Sequence, residues 1–409
     1  MVHNKRKIIN DPVHGFITVP NELIFDIIEH HYFQRLRHIK QLGLTYMVYP
    51  GAIHTRFQHA LGAMHLMTMA VEILKIKETE ISPEEMQGLY LAILLHDIGH
   101  GPFSHALEHT IVEKVDHETL SLLFLNRLNR IFNGELETAT EIFSDAYPKK
   151  FLHQLVSGQL DVDRLDYLMR DSFFTGVSEG VISTDRIIKM LNVHHDELVV
   201  DVKGIYSIEN FIVARRLMYW QVYLHKTVLS AEHLLINILK RAKYLSEQGE
   251  TIFTTPALEV FLKNNFTVED FERNPELLDT FAELDDYDVF LSIKMWTKAS
   301  DKVLALLSRK LVTRNLFRIE IGDHPFNENL IEGLRQKAKS AYDITDEETE
   351  YFVFFGEVAN NAYNPYFDKI HVLYKDDRVL DITESSDQLN INLQSKTVRK
   401  YFLCYPKSL

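Results

Sequence analysis

Residues 82–105 read "SPEEMQGLYLAILLHDIGHGPFSH", and the way this stretch begins and ends decides the fold. Its opening carries helix-start signals. Ser82 offers a side-chain acceptor to the free N–H groups of a first turn, Pro83 presets the backbone there, and Glu84 and Glu85 suit the positive end of a helix dipole. From Leu89 to Leu95 no polar stripe interrupts the apolar body, so this helix is expected to be buried on all sides. Gly99, Gly101 and Pro102 then end it. A buried helix that runs into His96, Asp97, His100 and His105 carries either a polar cap or a metal site at its end.

The neighbouring segments read as helices too. "NELIFDIIEHHYFQRLRHIKQLG" (21–43) and "TRFQHALGAMHLMTMAVEILKIK" (55–77) place apolar residues near a 3.6 period. Gly43 stops the first, and Ala60, Gly62 and Ala63 permit close helix approach in the second. Further helices are predicted at 117–132, 150–170 and 184–192, with a long one over 207–246. Between the last two, "DELVVDVKGIYSI" signals a short hairpin turning at Lys203-Gly204. Composition shifts at residues 246–255, and helices continue to about 310. Beyond that, "LFRIEI", "YFVFFG", "KIHVLYK" and "YFLCYP" read as strands, with "NENLIEGLRQKAKSA" a helix among them. The expected architecture is mainly α: a multi-helix core over residues 1–246, a helical extension over 247–310, and a smaller mixed α/β lobe over 311–409, assigned by position to oligomerisation or regulation.

Bulk properties narrow the chemistry. No apolar run approaches the ~20 residues that span a bilayer, and "MVHNKRKIIN" has no signal-peptide core, so a cytoplasmic address and no membrane partner are expected. The lone Cys404 excludes an intramolecular disulfide and a cysteine-based zinc cluster. A net charge of −14 disfavours a coat of nucleic acid but allows a small anionic substrate where arginines gather. Of 20 histidines, 13 lie before residue 118, which directs the search for metal or proton chemistry to the N-terminal part.

Three segments there supply a metal set: His59 from "HTRFQHALG", His96 and Asp97 from "LLHDIGHG", and Asp163 from "GQLDVDRLDYLMRD". Two imidazoles and two carboxylates suit an ion of borderline hardness such as manganese, iron, nickel or zinc. Asp163, Tyr167, Arg170 and Asp171 share one helix face, bordered by Arg164, and a face of this kind is wrong for packing. Arg215, Tyr219 and Tyr223 repeat the spacing on the long helix, with Lys226 a turn further. Arg56, three residues before His59, adds a guanidinium suited to phosphate. A lone His-Asp pair would be only a cap; agreement among separate segments argues for a site.

"HTRFQHALG", "HDIGHGPFSH" and "DVDRLDYLMRD" together resemble the signatures of HD-domain metal-dependent phosphohydrolases, and most of all the deoxynucleoside triphosphate triphosphohydrolases among them. "NDPVHGFI", "FQRLRHIKQLG" and "YPGAIHTRFQHALG" follow that subgroup's order, and the resemblance covers roughly residues 5–245. It implies that His59, His96, Asp97 and Asp163 bind a divalent ion, a transition metal or magnesium. It implies that His100, His105 and His117 line the phosphate site, with His117 the general acid. Arg56, Arg164, Tyr167 and Arg215 would hold the triphosphate; Gln41, Leu42 and Asp171 would read the deoxyribose, and Tyr223 would pack near sugar or base. The products would be deoxynucleoside and inorganic triphosphate. A homo-oligomer is also implied, with an activating nucleotide near Lys7, Ile8, Asn10, Glu29, Gln34 and Arg37.

Three positions depart from the vertebrate members: Arg164 replaces lysine, Leu224 a glutamine beside the base, and Glu29 an aspartate that reads guanine. The competing readings are another phosphoesterase acting on cyclic or monophosphate nucleotides, a catalytically idle nucleotide sensor, and a nuclease or single-strand binder.

Overall fold

The computed structural model describes residues 7–103, 107, 110–112, 115–360, 363–364, 369–386 and 398–409. It is mostly helical. The elements that frame the site are α1 (Glu22–Glu29), α2 (Arg56–Ile76), α3 (Pro83–Leu95), α4 (His117–Ile131), α5 (Val162–Thr175), α6 (Ile205–Met218), α7 (Lys226–Glu247) and α8 (Asp286–Trp296). No helix among the described residues is long and apolar enough to cross a membrane.

Helix α3 forms as its sequence directs. Ser82 accepts from the Glu85 N–H, and the Glu85 carboxylate accepts in return from the Ser82 N–H. Its body is buried from Leu91 to Leu95, between α2 on one side and the short helix Glu137–Phe143 on the other. Helix α2 is closed at its start by the same reciprocal device, with Thr55 and Gln58. Gly62 lets α5 approach: a Cβ there would lie 2.1 Å from Asp166 Oδ1 and 2.2 Å from the Arg170 guanidinium.

Four expectations are corrected. The segment 21–43 is not one helix. His30 takes extended angles (φ −68°, ψ 139°), ends α1, and caps a single turn, His31–Gln34, that leads into a 3-10 turn, Arg35–His38. The apolar repeat survives because Tyr32, Phe33, Leu36 and Ile39 still point inward. Residues 150–170 form two helices, Lys150–Val156 and α5, because the Asp161 carboxylate accepts from the Gly158 and Arg164 N–H groups and starts a new helix. The span 207–246 is broken by a π-turn at Tyr219–Tyr223, after which His225 caps α7. The hairpin exists, but it turns at His195-Asp196, both left-handed (φ 49° and 63°). Gly204 instead sits where a Cβ would meet Met190 and Val200 at 2.8 Å.

Strands β1 (Ile8–Asp11) and β2 (Gly15–Thr18) form a hairpin beside α2. That second hairpin, β3 (Leu191–His194) and β4 (Glu197–Asp201), extends into the C-terminal chain. β5 (Arg318–Gly322), β9 (Val398–Tyr405) and β6 (Phe354–Asn360) make an antiparallel sheet in the order β5-β9-β6. β7 (His371–Leu373) pairs parallel with β4, and β8 (Val379–Asp381) with β7. The chain after residue 311 thus carries strands, as expected, and two of them complete a sheet begun in the helical core.

Candidate metal and nucleotide site

Helices α2, α3 and α5 bring their polar ends together. One ligand atom each from His59, His96 and Asp163 lies within 4.8 Å of the others. His59 Nε2 is 3.0 Å from Asp163 Oδ1, and His96 Nε2 is 3.4 Å from the same oxygen. Asp97 closes the set, with Oδ1 3.3 Å from His96 Nε2 and Oδ2 3.8 Å from His59 Nε2. α3 ends at Leu95, and although His96 keeps helical angles (φ −56°, ψ −36°), its imidazole and the Asp97 carboxylate still meet at 3.3 Å.

The tautomers follow from the partners. His96 Nδ1 is 2.6 Å from the Ile93 carbonyl, which can only accept, so Nδ1 carries the proton. His59 Nδ1 donates to Asp166 Oδ2 at 2.8 Å. Both Nε2 atoms therefore face the carboxylates of Asp97 and Asp163, across which a proton or a metal ion can be shared. Both are buried with no hydrogen-bond partner among the described residues. An unprotonated Nε2 facing carboxylates in a buried cradle is repelled unless a cation lies between them, so where the proton leaves this donor set fits a divalent metal.

Electrostatics agree. Burial opposes charge on His59, but Asp163 and Asp166 override it and raise the imidazole to about 10. Burial likewise opposes His96, and Asp97 and Asp163 push it up. Asp97 and Asp163 resist burial and stay well below the usual carboxylate range, the first through His96 and Arg56, the second through His59 and His96. Asp161, capping α5 out of solvent, is raised to about 6 by burial and by Asp163 against the pull of Arg164.

Sequence reasoning missed the support of His59. Asp166, fully buried, accepts from His59, from His14 at 2.6 Å and from the Arg170 guanidinium at 2.8 and 3.0 Å. Arg170 also reaches Asp11 at 2.8 Å, so it faces this brace and not a ligand. The signal was present: Asp166 and Arg170 stand at i and i+4, and a ligating imidazole needs an acceptor for its other nitrogen. Ser121 was missed as well. It accepts from the Gly99 N–H and donates to the His96 carbonyl, tying α4 to the turn after α3.

A cavity of about 310 Å³ adjoins the cluster and is lined by Gln41, Leu42, Arg56, Tyr219, Tyr223 and Leu224, with Lys40 and Phe103 at its edge. Arg56 bridges the two, lining the cavity and donating to Asp97 Oδ2. Gln41 Oε1, Arg56 Nε and Arg164 Nε are buried without partners among the described residues, so the surroundings leave hydrogen-bonding capacity unmet. The π-turn carries Tyr219 and Tyr223 side by side, ring centroids 5.1 Å apart, with the Arg215 guanidinium 6.0 Å from the Tyr219 ring. Tyr167 lies 6.3 Å from Tyr223; burial raises its hydroxyl pKa, and Arg215 and Arg164 pull against that. Asp171 is buried, bonded to His54 and to the Tyr223 hydroxyl, each at 2.7 Å. His100 lies 3.2 Å from Asp97 and stacks on His117 with centroids 3.9 Å apart; burial and Arg56 lower it to about 3. His105 lies outside the described residues.

The residues assigned to an activating nucleotide flank α1 in two groups. Ile8 and Asn10 lie on β1, with Lys7 beside it over the Phe25 ring at 4.2 Å. Arg37 accompanies Gln34, which accepts from it at 2.8 Å, and lies over Phe57 at 3.6 Å. Burial lowers Arg37, and Glu29 opposes that shift.

Comparison with known proteins follows the same lines. A family model described as HD domain matches residues 56–171, and one described as HD associated region matches residues 182–252. The chain is similar to a phosphohydrolase of Bacteroides thetaiotaomicron of known structure, with a TM-score of 0.95 and 53% identity over 98% of this chain and 100% of that one. It is 31% identical to protein YwfO of Bacillus subtilis over 99% of this chain and 93% of that protein. It is 33% identical to the deoxynucleoside triphosphate triphosphohydrolase SAMHD1 homolog of Dictyostelium discoideum, over 58% of this chain and 49% of that protein.

Proposed function

The chain belongs to the HD-domain phosphohydrolase family, and on that premise we propose that it hydrolyses deoxynucleoside triphosphates to the deoxynucleoside and inorganic triphosphate. One observation carries the reading: the four-residue cluster opens through Arg56 onto a cavity in which Gln41 Oε1 and Arg56 Nε keep unmet hydrogen-bonding capacity. His59, His96, Asp97 and Asp163 hold the ion. A divalent metal there supplies a Lewis acid and lowers the pKa of water. Arg56, Arg164 and Arg215 neutralise the phosphoryl oxygens, and arginine's planar fork suits that task. His117, stacked on His100, carries the proton for the departing 5′-oxygen. Gln41, Leu42 and Tyr223 enclose the sugar, Gln41 Oε1 being an acceptor that a sugar hydroxyl would satisfy. The relatives named as deoxynucleoside triphosphate triphosphohydrolases support the substrate class. The reading extends to an activating nucleotide at Lys7 and Arg37 and to a homo-oligomer.

The test is hydrolysis of each dNTP, alone and in pairs, with manganese or magnesium, comparing the wild type with Asp97→Ala. Deoxynucleoside plus intact triphosphate, lost in the variant, is the expected result. Turnover only with pairs would reveal the activator. Absence of turnover on every dNTP would overturn the proposal and favour other phosphoesters.

A further inference from the structure

Two stretches far apart in sequence face each other across the cavity: Lys40–Gly43 and Phe103. They nearly touch, since a Cβ on Gly43 would lie 3.9 Å from the Phe103 ring. Both are held by one carboxylate from α8. Asp286, only 2% exposed, accepts through Oδ2 from the Lys40 backbone N–H at 3.1 Å and from its ammonium at 3.2 Å. Through Oδ1 it accepts from the Phe103 N–H at 3.3 Å.

An acidic residue in a first helical turn usually serves the helix start. Here that work is done by Asp285, which accepts from the Tyr287 N–H at 2.7 Å and shares a reciprocal cap with Asp288. Asp286 is therefore spared for the cavity. A buried charge is costly unless well bonded, and burial does push the Asp286 carboxyl up, with Lys40 opposing. Phe103 has a second cost: its φ of +50° is left-handed, which a bulky side chain tolerates only where its surroundings hold it. The Lys40 edge also leads to the phosphate end. Lys40 bridges to Thr55, and the Arg56 N–H donates to the Ile39 carbonyl at 3.0 Å.

We propose that Asp286 is a positioning residue of the nucleotide site, fixing the Lys40–Leu42 edge against Phe103 so that the sugar and base are held in register with Arg56. The proposal rests on the nucleotide reading above and names a residue outside the matched segments. The carboxylate's bonds run to Lys40 and Phe103 and to none of the four metal-site residues, so its loss acts on substrate placement.

The experiment compares Asp286→Asn, which keeps shape and one acceptor, with Asp285→Ala, which removes only the helix cap. On the best dNTP, Asp286→Asn is expected to raise KM roughly ten-fold with kcat changed about three-fold or less. It should also narrow the preference for the deoxy over the ribo substrate and leave manganese affinity unaltered by calorimetry. Asp285→Ala should lower stability alone. Unchanged KM and sugar preference in Asp286→Asn, or losses that merely track its melting temperature as in Asp285→Ala, would overturn the proposal. Failure of the functional reading shows separately, as a wild type without turnover. The clamp is then decided by hydrogen exchange: Asp286→Asn should speed exchange at the Lys40 and Phe103 amides and not in α2, and unchanged exchange at both amides rejects it.

Discussion

His59 is held from two sides, and its proton state follows. Its Nδ1–H is spent on Asp166, while Nε2 faces Asp163 at 3.0 Å. Despite burial, the two carboxylates lift the imidazole to about 10, above the ordinary ~6.5. In the metal-free protein this charge stabilises the fold fully below about pH 6.5, and the stabilisation is lost as pH climbs through about 10. A cation must displace the proton. Manganese binding at neutral pH is therefore expected to release about one proton. Calorimetric heats should then differ between Pipes and Tris by the buffers' ionisation enthalpies, and equal heats would contradict the protonated His59. Asp166→Asn keeps the size of the brace and removes its charge. It should weaken manganese binding by about ten- to a hundred-fold, the usual effect of losing an acceptor behind a ligand. Unaltered affinity would leave Asp166 a purely structural partner of Arg170.

At the scale of elements, glycines decide how closely helices approach. Gly62 on α2 faces the buried Asp166–Arg170 pair, and a methyl there would sit 2.1 Å from a carboxylate oxygen. Neither partner can retreat, because Asp166 also holds His14 and His59, and Arg170 holds Asp11. Gly62→Ala should cost roughly 3 kcal/mol in urea unfolding, the scale of a disrupted buried pair. Gly333, exposed in the helix Glu328–Tyr342 with nothing within 4 Å, should do the reverse. Gly333→Ala should gain about 1 kcal/mol from helix propensity. Opposite signs test the close-approach argument; two similar values would defeat it. The same contrast explains what was legible. Apolar period and cap residues located α2 and α3, since local chemistry decides both. The breaks at His30, Asp161 and Tyr219 were hidden because buried apolar residues resume within a turn on either side of each, and periodicity reports burial before backbone path. The clustered ligands could be read from residue types on separate segments. Asp166 left only a partial signal, its i, i+4 spacing to Arg170, and His14 and Ser121 left none, since their roles appear only when segments distant in sequence meet. Asp286 lies furthest from view, its partners Lys40 and Phe103 being joined to it by folding alone.

Across the whole molecule, the C-terminal chain is woven into the core. β7 pairs with β4 in parallel, Val199 opposite His371 and Asp201 opposite Leu373. Ser230 on α7 donates to the Phe317 carbonyl at 2.9 Å, and Arg241 binds both Asp301 and Glu348. Lys400 on β9 lies 5.0 Å from the Trp220 ring, linking the last strand to the π-turn of the cavity. One continuous buried cluster runs from Ile17 to Leu403. A core without an internal boundary should unfold as one unit, since exposing either part strips the other of its packing. The chain's two tryptophans report from different places. Trp220 sits on the π-turn, and Trp296 ends α8, buried and bonded to the Phe253 carbonyl at 2.7 Å. In Trp220→Phe and Trp296→Phe, each with one reporter left, the fluorescence midpoint in urea should coincide with that of far-ultraviolet circular dichroism. Comparison within each variant removes the stability effect of the substitution itself. A fluorescence transition displaced from the loss of helix in either variant would show that one region opens independently. Coincidence in both would mean that a substitution in the C-terminal chain destabilises the His59–Asp163 region along with its own, so that activity losses must be corrected for unfolded fraction before any regulatory meaning is drawn from them.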